Sequence, residues 1–421
     1  MSNFNKYWTS RGNSKKAEVF TPSFLVREML DKIPEEIWRS SETIFLDPCF
    51  GSGTFIKCII EKLKEYGHSD ENISKRIWGI DISIKWYNHV KHFRIGEYNI
   101  RNIYCVDALN TNILDGMKFD VVCGNPPYHG KKLGGGAGSG NAIWHKFVVN
   151  AFNALKENGY LCLIHPIDWR TNLSQKKIES ARKILITNQI EYLKLASAPF
   201  PGIGAYVDWY ILKKCDKKED TLIDFLDCQK NIFLDNKLFP LYSYNSDIVN
   251  SIKSKVLDDA TNKLNMRKPF HGLTILDKSK PKGKYKFAHG TGYTKNKWKY
   301  YDYPHIYQYH KKVIMSSIRR PRAIYDDGDI GIGDHVHYIL VNNKEEGEFL
   351  TSVINSKLGI FLQKIFVTTF WDGESSHWNN PYPISKLKID NRKFESDIEI
   401  YDYFGLSKEE REYIDKELRT K

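Results

Sequence analysis

The sequence lacks the features that mark membrane-spanning, secreted and disulfide-bonded proteins. No apolar run approaches the roughly 18 to 20 residues of a membrane span, and the N-terminal segment MSNFNKYWTSRGNSKK has no apolar signal region. The seven cysteines are odd in number and form no C-x-x-C pair, which argues against a disulfide framework and against a zinc ribbon. Most of them therefore fit small core residues in a reducing compartment, and we expect a cytoplasmic protein.

The length of the chain predicts two domains. It has 421 residues, about twice what one hydrophobic core usually serves. Hydrophobic residues make up 41% and aromatic residues 14%, which is ample for packed cores and too much for a disordered chain. The charged run KKCDKKED at residues 213–220 resembles a linker, and the pattern of elements changes after it. We therefore predict domains at residues 1–225 and 226–421.

Positive charge is concentrated in one stretch of the second half. The chain has 63 Lys and Arg against 51 Asp and Glu, a formal net charge of +12. Residues 261–322 alone hold 16 Lys or Arg and two Asp, interleaved with ten aromatic residues. Phosphates attract such cations, and bases or sugars pack on aromatic rings, so this composition favours nucleic-acid binding. A solvated basic loop beside core aromatics is the alternative.

The first half alternates between strands and helices. Apolar runs and helical spacing predict strands at 44–47, 77–82, 103–106, 119–123, 160–165, 190–195 and 206–212, with helices at 21–32, 54–66, 84–93 and 142–155. This alternation predicts an α/β fold with an open, mostly parallel sheet covered on both faces. Ligands in such sheets bind at the carboxyl ends of the strands. The second half mixes short strands, tyrosine-rich loops and a helix at 348–361.

Acidic residues follow three successive strands of this sheet. In DPCFGSGTF, residues 47–55, Asp47 is followed by small residues that let a ligand approach the backbone before a helix begins. Asp81 closes the next strand, where a carboxylate can accept hydrogen bonds from ribose hydroxyls. Asp107 follows the third strand and can accept from the amine of an adenine. Each residue alone also fits a structural turn, so only the combination indicates a nucleoside site.

The motif NPPY, residues 125–128, directly follows the strand FDVVC and Gly124. Two prolines fix the backbone, so the Asn125 side chain and the carbonyls after it are held rigidly at the carboxyl edge of the sheet. An ordinary turn is the alternative, but the position of the motif directly after a buried strand favours a functional site. The glycine-rich loop at 130–140 is either a flexible gate or a disordered spacer.

In this order, and preceded by Phe20-Thr21-Pro22, the motifs resemble the gamma group of S-adenosylmethionine-dependent N6-adenine DNA methyltransferases, the TaqI-type modification methylases of restriction–modification systems. The specific motifs cover about residues 15–215. The resemblance implies a Rossmann-like methyltransferase fold, with a seven-stranded, mostly parallel sheet and one antiparallel strand near its edge. It also implies a C-terminal mixed α+β domain that recognises DNA.

The activity implied by the resemblance is site-specific methyl transfer from S-adenosylmethionine to the exocyclic N6 amine of an adenine flipped out of double-stranded DNA. Asn125 and the Pro126 carbonyl would accept hydrogen bonds from that amine. Tyr128 would stack on the base, and Phe200 is either a second stacking residue or a plain core phenylalanine. The implied catalytic motif comprises Asn125, Pro126, Pro127 and Tyr128. The implied cofactor contacts are Phe20, Thr21, Pro22, Asp47, Pro48, Gly51, Gly53, Thr54, Phe55, Asp81, Ile82, Asp107, Ala108 and Asn125.

The charge pattern selects the expected DNA contacts and partners. Double-stranded DNA is the expected partner, a separately encoded restriction endonuclease is a candidate, and no membrane partner is expected. The expected location is therefore the cytoplasm, or an association with nucleoid or viral DNA. No metal ion is expected either, since His335 and His337 lack completing ligands and the turn at 326–329 lacks the final Glu of a calcium loop. The expected phosphate and base contacts are Lys297, Trp298, Lys299, Arg319, Arg320 and Arg322.

Three other interpretations stay open at this point. The same N-P-P-Y chemistry can methylate an RNA adenine or a protein glutamine amide, although those relatives usually lack a large basic domain after the catalytic one. Cytosine N4 methylation is a further option, but Ser in place of Asn125 is typical of it. A binding module with a degenerate methyltransferase fold is disfavoured, because every cofactor-side position is intact.

Overall fold

The computed structural model describes residues 20–110, 114–130, 142–170, 176–197, 200, 206–258, 266–267, 283–290, 298–316, 322–333, 336–366, 387–388 and 390–419. Its labelled helices are α1 (Ser23–Leu30), α2 (Glu35–Arg39), α3 (Thr54–Glu65), α4 (Asp70–Arg76), α5 (Ile84–Val90), α6 (Trp144–Ala154), α7 (Glu179–Thr187), α8 (Asp247–Val256), α9 (Lys344–Asn355) and α10 (Lys357–Ile365). Helices also cover Asp397–Tyr403 and Lys408–Arg419. Across these ranges, no helix is long and apolar enough to cross a membrane.

The strands belong to several sheets. They are β1 (Phe45–Asp47), β2 (Ile77–Asp81), β3 (Arg94–Ile95), β4 (Tyr98–Asn99), β5 (Asn102–Cys105), β6 (Phe119–Gly124), β7 (Leu155–Pro166), β8 (Asn188–Ser197), β9 (Val207–Asp216), β10 (Thr221–Asp224), β11 (Gln229–Ile232), β12 (Met266–Arg267), β13 (Tyr285–Ala288), β14 (Lys299–Tyr301), β15 (Lys312–Ser316), β16 (Ile324–Asp326), β17 (Ile330–Ile332) and β18 (Val336–Leu340).

One sheet of nine strands organises the first half, in the order β11-β10-β8-β9-β7-β6-β1-β2-β5. Strands β5, β2, β1, β6 and β7 are parallel neighbours, whereas β9 runs antiparallel to both β7 and β8. The predicted α/β class with a mostly parallel sheet is therefore confirmed, but the sheet has nine strands where seven were expected, and it contains two antiparallel strands, β9 and β11, where one was expected. Strands β10 and β11 extend the sheet by two strands that the sequence analysis did not predict.

The interpretation of residues 213–220 as a linker is wrong for their first half. Residues up to Asp216 continue β9, and the ammonium of Lys214 donates to the Leu155 carbonyl at 3.1 Å. Lysine can do this because its long apolar stem lies along the sheet while the charged end reaches the periphery. Since β11 carries the sheet on to Ile232, the domain division at residue 225 stays a prediction.

Helices bury both faces of the sheet, which explains its continuous apolar strands. Alternate residues of one strand enter different cores, as Phe45 and Leu46 do in β1. Helices α1 and α3 contribute to the core that contains Phe45, and α6 and α7 to the core that contains Leu46. Helix α1 begins at Ser23, two residues later than the predicted start at residue 21, and its N-cap is Pro22.

The second half combines strands and helices, as predicted. Its strands form the sheets β12-β18-β15-β16 and β14-β13-β17. The single helix expected at 348–361 is two helices, α9 and α10, because the hydroxyl of Ser356 caps the amide of Gly359 at 3.1 Å and starts a new helix. His337 is buried in β18, and His335 lies outside the described residues.

Candidate active site

Four neighbouring parallel strands bring the predicted residues to one edge of the sheet. Asp47 and Asp81 are the last residues of β1 and β2, and Asn125 comes directly after β6. Asp107 follows β5 two residues after its end. Because parallel strands share a carboxyl edge, these side chains meet where open α/β sheets bind their ligands.

Asp81 holds the glycine turn that follows β1. Its Oδ2 accepts a hydrogen bond from the Gly51 amide at 2.8 Å, and its Oδ1 accepts from the Ser83 amide at 2.7 Å. Gly51 and Gly53 have φ of +49° and +80°, which favours glycine at both positions. A Cβ on Gly53 would also lie 2.7 Å from the Phe93 ring. The turn is thus both tight and fixed in its conformation.

Asp47 is a buried carboxyl group at the centre of this edge. Only 2% of the residue is exposed, and its Oδ1 accepts from the Cys49 amide at 3.0 Å. Burial, followed by the nearby charge of Asp81, raises the pKa of Asp47 to about 8, although the Cys49 hydrogen bond opposes this. A positively charged ligand beside Asp47 would favour its ionised form.

Gly124 lets the Asp47 carboxylate lie against the backbone that enters NPPY. A Cβ on Gly124 would come within 2.8 Å of Asp47 Oδ1, which is closer than real contacts allow. Gly124 is not among the predicted site residues, although a glycine at the end of an apolar strand is a signal for close approach of another group.

Asn125 is fixed at one end of its amide and unsatisfied at the other. Its Nδ2 donates to Thr21 Oγ1 at 3.0 Å, which joins NPPY to the Phe20-Thr21-Pro22 segment. Its Oδ1 is buried, and within the part of the chain that the structure describes it has no hydrogen-bond partner. Leaving a buried acceptor unsatisfied costs about 1–3 kcal/mol, which a donor on a ligand would offset. The side chain is therefore an oriented acceptor.

Other predicted residues surround this centre. Ile82, directly after Asp81, is 65% exposed and offers an apolar surface at the edge of the site. The ring of Phe20 meets that of Trp86 edge-on, with 5.3 Å between the ring centres, so Trp86 is a neighbour of the predicted site that was not itself predicted. Asp107 accepts from the Leu109 amide at 3.0 Å and from Asn110 Nδ2 at 2.7 Å, so its carboxylate also orders its own turn.

The aromatic pair expected to stack on a base is mostly covered. Tyr128 is partly buried, and burial raises the pKa of its hydroxyl well above the usual value. Phe200 is 3% exposed, in a core cluster against which Tyr128 packs. A base can reach Phe200 only after its surroundings move, and its stacking role stays a prediction.

The expected DNA contacts are described only in part. Trp298 is partly buried, with Lys286 Nζ 3.8 Å from its ring centre, and Lys299 and Arg322 are exposed. Lys297, Arg319, Arg320 and residues 131–140 of the glycine-rich loop lie outside the described ranges. The role of the whole set in DNA binding stays a prediction.

A buried charge pair between Arg170 and Asp208 was not predicted from the sequence. Asp208, inside β9, accepts from Arg170 Nε and Trp169 Nε1, both at 2.8 Å, and from the Ala196 amide at 2.8 Å. Arg170 also donates to Ser243 Oγ at 2.8 Å, so the pair joins the end of β8 to the segment after β11. A lone acidic residue in the apolar run YVDWYIL was its only sequence signal.

Comparisons with known proteins find restriction–modification methylases among the similar sequences. Residues 53–195 match the model of the family described as Eco57I restriction-modification methylase. The Type II methyltransferase M.VspI of Vibrio sp. (strain 343) is 29% identical over 217 residues, 48% of each chain. The modification methylase CviBIII of Paramecium bursaria Chlorella virus NC1A is 26% identical over 340 residues, 70% of this chain and 84% of that one. The chain thus spans about half the length of M.VspI.

A solved structure shares the fold. The type IIL restriction-modification enzyme MmeI, solved in complex with DNA, superimposes with a TM-score of 0.50 and 11% sequence identity. The match covers 87% of this chain and 64% of that chain. At such low identity the likeness shows the fold alone.

Proposed function

Because the chain carries an Eco57I restriction-modification methylase domain at residues 53–195, we propose that it is a site-specific DNA adenine-N6 methyltransferase that uses S-adenosyl-L-methionine. The observation that carries the proposal is the buried, oriented Oδ1 of Asn125, which has no partner among the described residues. An exocyclic amine is the kind of group that such an acceptor binds. Double-stranded DNA is the proposed partner, and a separately encoded restriction endonuclease is a second one.

The residues at the carboxyl edge fit S-adenosylmethionine. A carboxylate offers about four acceptor positions, so Asp81 can hold the turn and still accept from ribose hydroxyls. Asp47 gains a cation that favours its ionised form, and exposed Ile82 offers a surface for an adenine ring. When bound, S-adenosylmethionine supplies a methyl group activated by the positive charge on its sulfur.

Asn125 prepares the target nitrogen for attack. The lone pair of an adenine N6 amine is delocalised into the ring, so the amine is a poor nucleophile. Asn125 Oδ1 and the Pro126 carbonyl accept hydrogen bonds from the two N–H groups of the amine. These bonds favour a pyramidal nitrogen and stabilise the positive charge that develops on it. The hydrogen bond to Thr21 and the two prolines hold this acceptor before the substrate arrives, so little reorganisation is needed.

Tyr128 binds the base that carries this amine. A base inside a duplex cannot enter the site, so it must leave the stack, which costs a few kcal/mol. Stacking on an aromatic side chain returns about 1–3 kcal/mol per base. Tyr128 belongs to the same motif as Asn125 and is partly buried, so its ring must become more accessible when the base enters.

Affinity for S-adenosylmethionine is expected to rise with pH until about pH 8. The ammonium of the cofactor favours ionised Asp47, whose pKa is raised to about 8 in the unbound protein, so binding below that pH releases a proton. Each unit below the pKa should then weaken binding by up to about tenfold. The amino group of the ligand itself loses its proton near pH 8, so the optimum lies close to that value. Calorimetric titration between pH 6 and 9 measures this dependence.

The variant Asp47→Asn separates this effect from other titrations. It should bind the cofactor more weakly than the wild type, and its affinity should no longer rise between pH 6 and 8. Equal wild-type affinities at pH 6 and 8 would contradict the proposed role of the Asp47 charge.

Sequencing that detects modified bases tests the function itself. DNA from cells that express the protein should carry N6-methyladenine at one short sequence, and DNA from cells that express Asn125→Ala should not. Methylation at the N4 of cytosine would reject the adenine assignment. Unmodified DNA together with methyl incorporation into RNA or protein would support the alternative, a methyltransferase of the same chemistry with another substrate.

A further inference from the structure

Exposed apolar side chains concentrate on one segment of the second half. Tyr303, Ile306 and Tyr309 are 43%, 69% and 72% exposed and recur at every third residue between β14 and β15. We call these three side chains the apolar ridge. Large apolar groups that point into water at a regular spacing indicate a contact surface rather than a core.

Buried polar side chains anchor the segment that carries the apolar ridge. Gln308, which is 3% exposed, donates from Nε2 to the Asp329 carbonyl at 2.5 Å. Lys312 is fully buried, pairs with Asp326 at 2.5 Å, and donates to the carbonyls of Gln308 and His310 at 3.1 and 2.9 Å. These interactions fix the segment on its inner side, and of the ridge side chains the Tyr309 hydroxyl is also hydrogen-bonded with Tyr285.

Two glycines, one in the turn after β16 and one in β17, let these parts of the chain approach the segment closely. A Cβ on Gly331 would lie 2.7 Å from Gln308 Oε1, and one on Gly328 would lie 3.2 Å from the carbonyl of Tyr309. Gly328 also has φ of +115°, which favours glycine. The turn at 326–329, which the sequence analysis separated from a calcium loop, is thus a support for the ridge.

We propose that the apolar ridge packs against sugars and base edges in a groove of duplex DNA, an inference that rests on the proposed function. Charge favours this partner, since residues 261–322 hold 16 Lys or Arg against two Asp. Lys286, stacked on Trp298, and exposed Lys299 lie on the adjoining strands β13 and β14. The nearby carboxylate of Asp327 lies 3.5 Å from the Lys311 ammonium. Some DNA-binding proteins insert apolar side chains into a groove of the duplex, between their basic contacts to the backbone.

Salt dependence distinguishes this contact from a phosphate contact. Neutralising a phosphate releases counterions, so loss of a cation such as Lys299 lowers the slope of log affinity against log salt by about one. Ile306→Ser and Tyr309→Ser should instead weaken binding of the duplex by roughly tenfold at every salt concentration, with the slope unchanged. Fluorescence anisotropy with a duplex that contains the methylated sequence measures both quantities.

Ile398→Ser is a matched control, because Ile398 is 65% exposed on a helix outside the basic stretch. It should bind DNA like the wild type, and all three variants should unfold at the wild-type temperature. If Ile306→Ser binds like Ile398→Ser while the wild type binds and methylates DNA, the ridge proposal fails and the proposed function stands. A reduced salt slope for Ile306→Ser would also overturn it. A wild type that neither binds nor methylates duplex DNA would reject both.

Discussion

Replacing Asn125 with alanine is expected to lower the rate of methyl transfer by about 10² to 10³-fold, which is the usual effect of removing one preorganised polar group from a transition state. The variant loses the oriented Oδ1 acceptor and the hydrogen bond to Thr21, and it keeps Asp47 and Asp81. The cofactor should therefore still bind within a few-fold of the wild-type affinity. Single-turnover methylation of a duplex and calorimetric cofactor titration measure the two effects separately.

The base should still leave the duplex in this variant, because Tyr128 is unchanged. In a duplex with 2-aminopurine at the target adenine, the fluorescence of 2-aminopurine should increase on binding of either the wild type or Asn125→Ala. Asn99→Ala, which removes an exposed asparagine from the same half of the chain, should methylate at the wild-type rate. Full activity in Asn125→Ala would exclude the proposed role of its oxygen, and loss of cofactor binding would assign the residue to the cofactor instead.

The sequence predicted the first half of the fold well because its signals are local. Buried parallel strands are apolar throughout, and each site residue follows one of them, so Asp47, Asp81 and Asn125 could be placed at one edge without coordinates. The strands β10 and β11 were missed because they are short and border a charged run. In those four-residue strands the alternation of polar and apolar residues is too brief to recognise.

Long-range contacts of the site could not be predicted from local patterns. The hydrogen bond between Asn125 and Thr21 joins residues 104 positions apart, and the approach of Gly124 to Asp47 depends on strand register. The support of the apolar ridge is also non-local, since Gln308 reaches the Asp329 carbonyl across 21 positions. A sequence shows which residue types are available, whereas such pairings depend on how the elements pack.

The second large effect is expected from Arg170→Met. Both side chains of the Arg170–Asp208 pair are at most 1% exposed, so removal of the guanidinium leaves a buried carboxylate without its cation. Breaking a buried pair in this way usually lowers the free energy of unfolding by about 3–5 kcal/mol. Urea denaturation followed by circular dichroism measures the change. In the matched variant Arg39→Met, the lost ion pair with Glu35 is 68% and 59% exposed, and the cost should be only about 0–1 kcal/mol.

A double variant, Arg170→Met with Asp208→Leu, shows whether the loss of stability arises from the unpaired, buried carboxylate of Asp208. Replacing a whole buried pair by apolar residues is often nearly neutral, so the double variant should be more stable than Arg170→Met alone. Recovery should be incomplete, because Trp169 Nε1 and the Ala196 amide lose the acceptor that Asp208 provides. Each buried donor left without an acceptor lowers the free energy of unfolding by about 1–3 kcal/mol. If Arg170→Met is no less stable than Arg39→Met, the buried pair contributes no net stability, and the donors that remain on Asp208, Trp169 Nε1 and the Ala196 amide, are sufficient for its carboxylate.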